Sequence, residues 1–402
     1  MKILMVTPYV PYPPASGGQI RTLNLLKYLS RKNDIYLVSL YKHEDEKRHI
    51  EFLTKYCKEI HLCKRPEKPW QLKNILTAIF TSKPFLIVRN FSENAKSTIK
   101  DLLKRVQFDV IHSETFYVMP HIPKTHVPTL LVEQTIEYKV YKHFVDGLPF
   151  FIRPFIFIDV LKLRHWERYY WNQATLVATV SNHDKELIKK EVSDINTAVI
   201  PNGAGDEMFE KTIKHRNTIN PILLFLGNFF WLQNMEAAQF TIKKILPQLE
   251  KKMQNFKIVI AGQKAKKINT TNNKVQIVEI EDDKADKVKK LYQTSTLFIA
   301  PIFGPGGTRL KILAAMAAGL PVISTSVGIE GLNVKDNQHV LVANSKEQFV
   351  EKILLALSNQ KLYQDLQNNS YELALKKYNW KNISEKLEKV YKNVKKHDEN
   401  RN

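Results

Sequence analysis

Short apolar runs alternating with stretches of helical periodicity, repeated in two successive series, constrain this chain more than any other feature. The first series places strands at Lys2–Thr7, Ile35–Ser39, Ile60–Cys63, Val110–His112, Thr129–Val132 and Leu176–Val180, followed by the short run Thr197–Ile200. The second places them at Ile222–Leu226, Lys257–Ala261, Val275–Ile280, Thr296–Ala300, Pro321–Ser324 and His339–Val342. Runs of this kind separated by helices form parallel sheets covered on both faces. A polar stretch, Lys211–Asn220, lies between the two series and reads as a linker. At 402 residues the chain exceeds one comfortable core. The expectation is α/β, with two Rossmann-like doubly wound domains. Ligands of such sheets bind at the carboxyl ends of the strands.

Composition narrows the function classes. The formal charge is +21, distributed as +10 over residues 1–100, zero over 101–200 and +11 over the remainder. Lys outnumbers Arg 49 to 12, and no basic stripe or zinc motif marks a nucleic-acid reader. Anionic lipid or phosphate-bearing ligands fit the charge better. Two cysteines, Cys57 and Cys63, are too few for a disulfide framework. No stretch has the length of a signal-peptide core or a membrane span. The expected location is cytoplasmic, with peripheral attachment at the inner face of the plasma membrane open.

Two loops could hold an anion. The first, Ser16-Gly17-Gly18, follows the first strand and runs straight into a helix, whose exposed amides favour negative groups. A tight turn without a ligand explains it equally well. The second, Gly304-Pro305-Gly306-Gly307-Thr308-Arg309-Leu310-Lys311, enters a helix expected to be capped near Thr308. Its first turn carries two cations. They oppose the helix dipole and cost stability unless an anion faces them.

The run from Gly306 through Thr325, with Gly328-Ile329-Glu330-Gly331-Leu332, resembles the donor-site signature of family-four retaining glycosyltransferases. Ser16-Gly17-Gly18, Asp109–His112, Val180-Ser181, Pro201-Asn202-Gly203, and Gly227–Trp231 with Asn234 extend the resemblance over nearly the whole chain. The resemblance implies the GT-B architecture: an acceptor domain over 1–205, a nucleotide-sugar domain over 206–379 facing it across a cleft, and a crossover helix and polar tail over 380–402. It places Gly17, Gly18, Gly306, Gly307, Thr308, Arg309, Lys311 and Ala314 around the donor. It also implies retention of anomeric configuration, a polysaccharide or lipid-linked acceptor, a nucleotide sugar as co-substrate, and neither cofactor nor divalent metal.

The sequence departs from the family pattern at three places. Ala314 stands where a carboxylate commonly holds the nucleotide ribose. Gly227–Trp231 lacks the usual cation, and the segment Val132–Glu137, with Gln134, lacks the His and Asn often seen before its Glu. A catalytically degenerate GT-B protein that binds nucleotide or lipid, or scaffolds partners, is the alternative these changes favour. A sugar-nucleotide epimerase is a third reading.

His112 ends its strand either as a hydrogen-bonded structural residue or as a base. Glu114, Glu133 and Glu137 share that edge and could polarise an acceptor hydroxyl. His112 and Glu137 are the candidate catalytic groups. Glu281-Asp282-Asp283 reads as a solvated acidic loop rather than a metal site. For the acceptor or an anionic membrane, two stretches stand out. The first is the basic region around Trp70 with the stripe Ile75, Leu76, Ile79 and Phe80. The second is the aromatic run Leu148–Phe155.

Overall fold

The computed structural model describes residues 1–68, 70–209, 216–281 and 284–399. Thus Lys211–His215 of the expected linker, Asp282 and Asp283 of the acidic loop, and the end of the polar tail lie outside the described residues. The chain divides into two compact units, Met1–Pro201 with Ile383–Asn402, and Asn202–Asn382.

The first unit is built on a seven-stranded parallel sheet of order β3-β2-β1-β4-β5-β6-β7. Its strands are β1 (Lys2–Thr7), β2 (Asp34–Tyr41), β3 (Glu59–Lys64), β4 (Val110–Glu114), β5 (Thr129–Glu133), β6 (Leu176–Thr179) and β7 (Thr197–Val199). The six-stranded sheet of the second unit runs β10-β9-β8-β11-β12-β13. Here the strands are β8 (Ile222–Leu226), β9 (Lys257–Gly262), β10 (Val275–Glu279), β11 (Leu297–Ala300), β12 (Val322–Ser324) and β13 (Leu341–Val342). Central strands are apolar at almost every position because helices bury both faces. The expected strands are all present, most extended or trimmed by a residue or two. Both sheets reverse their order beside the first strand, at β1/β4 and at β8/β11, where open parallel sheets leave a crevice.

Eight helices carry or support the residues of interest: α1 (Gly17–Leu29), α2 (Leu72–Phe80), α3 (Phe85–Asn90), α4 (Glu137–Asp146), α5 (Arg153–Gln173), α6 (Leu232–Phe240), α7 (Leu310–Ala317) and α8 (Trp380–Glu399). Helix α1 begins at Ser16, whose hydroxyl accepts the Gln19 N–H. From Ile383 onward α8 belongs to the first unit. There Leu387, Tyr391 and Val394 are buried at helical spacing.

Arg216, within the expected linker, is buried rather than solvated. Its guanidinium donates to the carbonyls of Tyr292, Gln293, Ser295 and Ala318 at 2.6–3.0 Å. Those carbonyls end two helices of the second unit, and a cation there satisfies orphan acceptors and complements the dipoles.

Gly262 ends β9 at φ +139°, and a Cβ there would stand 1.8 Å from the Gly227 carbonyl oxygen. The loops after β8 and β9 therefore touch through bare backbone. Gly262→Ala is expected to cost at least the ~1–3 kcal/mol of a forbidden dihedral plus the clash. Thermal denaturation should show a fall of several degrees, and an unchanged melting temperature would refute the close approach.

Candidate functional sites in the two units

At the carboxyl edge of the first sheet runs a polar chain whose central members, Arg21, His112, Glu114 and Tyr391, are buried. His112 and Glu114 are two apart on β4 and share a face. The imidazole Nδ1 is 2.5 Å from the Tyr391 hydroxyl, and Nε2 is 2.5 Å from Glu114 Oε2. Arg21 on α1 donates from Nε to Glu114 Oε1 at 2.8 Å. Its Nη1 donates to the carbonyls of Ile200 and Pro201 at 3.2 and 3.1 Å. The Gln134 amide donates to Glu114 Oε1 (2.7 Å) and to the Tyr9 hydroxyl (3.0 Å). Burial alone would raise the Glu114 pKa, but the Arg21 charge and the His112 hydrogen bond outweigh it and hold it below the usual carboxylate range. Side-chain exposure is 0% at Arg21 and Glu114, and His112 is equally buried.

Gly17 and Gly18 form the first turn of α1. A Cβ on Gly18 would fall 2.3 Å from the Tyr9 hydroxyl, so that glycine admits the Tyr9 ring. Beyond β4 the backbone of Thr115 adopts φ 84° and ψ 155°. This region is essentially confined to glycine and costs on the order of 1–3 kcal/mol.

Glu137 stands at the start of α4, apart from that chain. No side chain of its own segment caps the helix. Instead the buried Glu167 on α5 accepts the N–H groups of Glu137 and Tyr138 at 2.8 and 2.9 Å. Glu133, also buried, accepts the Trp171 indole N–H at 2.8 Å. Burial raises Glu133 and Glu167 well above the carboxylate range, with the neighbouring carboxylates adding to the effect. Burial likewise lifts Glu137 to about 7, against the opposing influence of a Tyr117 hydrogen bond and the Arg89 charge. Glu137 is thus poised for proton transfer near neutrality, whereas both ring nitrogens of His112 are already engaged.

In the second unit the loop Gly304–Arg309 follows β11 and the Gly227 loop follows β8, the two strands of the switch, and the Gln233 amide on α6 donates to the Pro305 carbonyl at 3.2 Å. Thr308 does not cap α7: the N-cap is Arg309, without a side-chain cap bond. The Thr308 hydroxyl instead accepts from the Asn202 amide at 2.9 Å, tying the loop to the segment after Pro201. Arg309 curls back, donating to the carbonyls of Gly307 and Gly304 at 3.1 and 2.8 Å. A Cβ on Gly306 would meet that guanidinium at 2.0 Å.

Lys311 reaches Asn234 Oδ1 on α6 at 2.5 Å and lies 5.0 Å from the Phe225 ring centroid. Among the described residues no carboxylate pairs with it. Burial first, then repulsion from Arg309, lowers its pKa to about 7. Ala314 is one turn further along the same helix and partly buried. Although Gly227–Trp231 is uncharged, Lys264 and Lys267 bring cations to 5.7 and 4.8 Å from the Phe230 ring. Nothing in the sequence pattern singles out that pair. Asn228, bonded to Gln263, and the Gly262 contact create the neighbourhood. Among the described residues no cluster of three metal-ligating side chains occurs.

Residues 220–359 match the family model described as Glycosyl transferases group 1. An uncharacterized 44.6 kDa protein in the cps region of Klebsiella pneumoniae is 23% identical over 95% of this chain and 97% of its own length. Sucrose-phosphate synthase of Thermosynechococcus elongatus superposes with a TM-score of 0.71 at 14% identity, covering 98% of this chain and 99% of that one. A mutant TarM of S. aureus, in complex with fondaparinux, alpha-GlcNAc-glycerol and UDP, superposes at 0.69 with 12% identity over 97% and 99%. The fold is that of GT-B glycosyltransferases.

The protonation of Lys311 gives a stability test. The folded-state value near 7 lies below the ordinary 10.5, so the charged form opposes folding. That cost is complete below about pH 7 and disappears as pH rises toward the unfolded value. Lys311→Met should therefore raise the melting temperature at pH 6 and change it little at pH 10. Equal shifts at both pH values would contradict a buried, unpaired ammonium.

Proposed function

We propose that this chain transfers a sugar from a nucleotide-sugar donor to a polysaccharide or lipid-linked saccharide acceptor, without a metal and with retention of configuration. The observation that carries the reading is Lys311: a buried ammonium without a carboxylate partner among the described residues, at the switch point of the second sheet. A departing nucleoside diphosphate supplies the missing anion, and a preorganised cation stabilises that leaving group. The group 1 match over the second unit and the UDP bound by the TarM mutant support a donor site there. The cps-region relative supports an acceptor from surface-polysaccharide synthesis. Retention follows from the motif resemblance.

In this reading the first unit handles the acceptor. The acceptor oxygen bonds to the anomeric carbon, the bond to the diphosphate oxygen breaks, and the hydroxyl proton passes to Glu137. His112 acts as a positioning residue for Glu114. The donor ribose, facing Ala314, lacks a charge-assisted hydrogen bond worth ~1.5–3 kcal/mol. Lys311 and the loop amides carry donor affinity instead.

UDP-, GDP- and ADP-sugars should be screened for thermal stabilisation and for transfer or hydrolysis, with the product anomer read by NMR. We expect one nucleotide to stabilise the protein and Lys311→Ala to abolish the effect. The kcat/KM profile should be bell-shaped around pH 7, rising as Glu137 ionises and falling as Lys311 loses its proton. Glu137→Gln should remove the acid limb. Nucleotide binding without turnover, even in Ala314→Glu, would replace this reading by the non-catalytic one that Ala314 favours.

The chain is further proposed to work at the cytoplasmic face of an anionic membrane. Phe80, Phe150, Phe155 and Trp70 are 81, 80, 77 and 66% exposed, and Leu72, Ile79, Phe151 and Ile158 are exposed with them. They fall on α2, on α5 and beside these helices, which are pinned together. Lys162 donates to the carbonyls of Ala78 and Thr81 at 2.7 Å, and the Trp166 indole to Ser82 at 2.8 Å. Exposed apolar patches of this kind mark contact surfaces. Lys68, Lys73, Lys83 and Arg153 stand exposed among them, as an anionic interface requires. Among the described residues no helix is long and apolar enough to cross a membrane. The protein should sediment with phosphatidylglycerol vesicles but weakly with phosphatidylcholine, and Phe80→Glu with Phe155→Glu should release it. Persistence of binding in the double variant would remove the patch from the reading.

A further inference from the structure

Three cations of the first unit gather at the same sheet edge and take no part in the proposed transfer. Lys42 and Arg65 are the first residues beyond β2 and β3. Those strands pair Tyr41 with Lys64 in parallel register, so the two cations leave the sheet side by side. Arg89 comes from α3, its guanidinium 6.0 Å from the Phe85 ring centroid. Among the described residues none of the three pairs with a carboxylate. Glu46, the acidic group whose charge reaches Lys42 and Arg65, accepts the backbone N–H groups of Lys42 and His43 at 2.9 Å. Arg65 donates to Asn90 Oδ1 and leaves its Nε buried without a partner.

The electrostatics agree with the placement. Burial lowers Lys42, and repulsion from Arg65 and Arg89 lowers it further. Burial and Arg89 bring Arg65 down to about 10. Like charges held together at partly buried positions oppose folding unless an anion joins them. Guanidinium forks beside an ammonium match the oxygens of a phosphate. The Arg89 charge also acts on Tyr117 and Glu137, so the cluster lies within electrostatic reach of the proposed proton acceptor.

We propose that Lys42, Arg65 and Arg89 form an anion site for a phosphate or diphosphate carried by the acceptor, holding its hydroxyl toward Glu137. The binding itself is independent of the glycosyl-transfer reading, and only the ligand's role as acceptor rests on it.

Calorimetric titration of the full chain tests the site. The Lys311→Met background removes the competing phosphate site, and the probes are pyrophosphate, a micellar polyprenyl diphosphate and the matching polyprenol. We expect pyrophosphate and the polyprenyl diphosphate to bind and the polyprenol not to. Lys42→Gln and Arg89→Gln should each weaken binding tenfold or more, while Arg65→Lys stays within a few-fold. Because each Gln variant removes one of three repelling charges, its melting temperature without phosphate should hold or rise. Pyrophosphate binding without the polyprenyl diphosphate would keep the site and assign it a soluble phosphate. Absence of binding in the Lys311→Met protein, or affinity indifferent to both Gln variants, would overturn the proposal. Nucleotide stabilisation of the unmodified protein reads the donor site separately, so failure of one leaves the other standing.

Discussion

A guanidinium sealed from water organises the first unit. Arg21 can exist there only because Glu114 supplies the opposite charge and two backbone carbonyls take further hydrogens. Breaking one side of such a pair leaves an uncompensated buried charge, usually worth ~3–5 kcal/mol. Glu114 in turn fixes His112 and Gln134, and His112 engages Tyr391 near the far end of the chain. Helix α1, strand β4, the segment after β5 and the last helix are thereby held to one geometry.

The two units treat charge differently. In the first, the central cation is neutralised inside the protein, whereas Lys42, Arg65 and Arg89 are left to repel one another. In the second, Arg309 is turned onto neutral carbonyls, and Lys311 is given a neutral amide. Each unit therefore holds partly buried positive charge, within a fold whose strand ends are binding edges.

The strands were legible because parallel sheets buried on both faces demand continuous apolar runs, and Lys2–Thr7 or Ile222–Leu226 have no other plausible use. Lys311 was legible because a cation in a helix's first turn violates the dipole rule locally. The rest depended on partners distant in sequence. Thr308 is a good cap by type, yet Asn202 captures its hydroxyl. Arg216 belongs by composition to a polar linker, and only the helix ends that it clamps show its role. Glu167 caps a helix thirty residues earlier, a bond that no spacing rule contains. Lys264 and Lys267 supply cations beside an uncharged loop through the backbone contact that Gly262 permits. The cluster of Lys42, Arg65 and Arg89 follows from strand register and the placement of α3, which a lysine-rich composition conceals.

The first unit is not a continuous stretch of chain: it needs residues 1–201 and then the segment from Ile383. The second unit lies wholly between them. During synthesis the later unit therefore has all its residues before the earlier one does, and His112 waits for Tyr391 until the segment from Ile383 has been added. At the ~5–20 residues per second of translation, the nascent first sheet passes many seconds with its polar chain incomplete at one end. The order of completion is thus reversed relative to the order of sequence, and the segment from Ile383 completes the unit that was begun first.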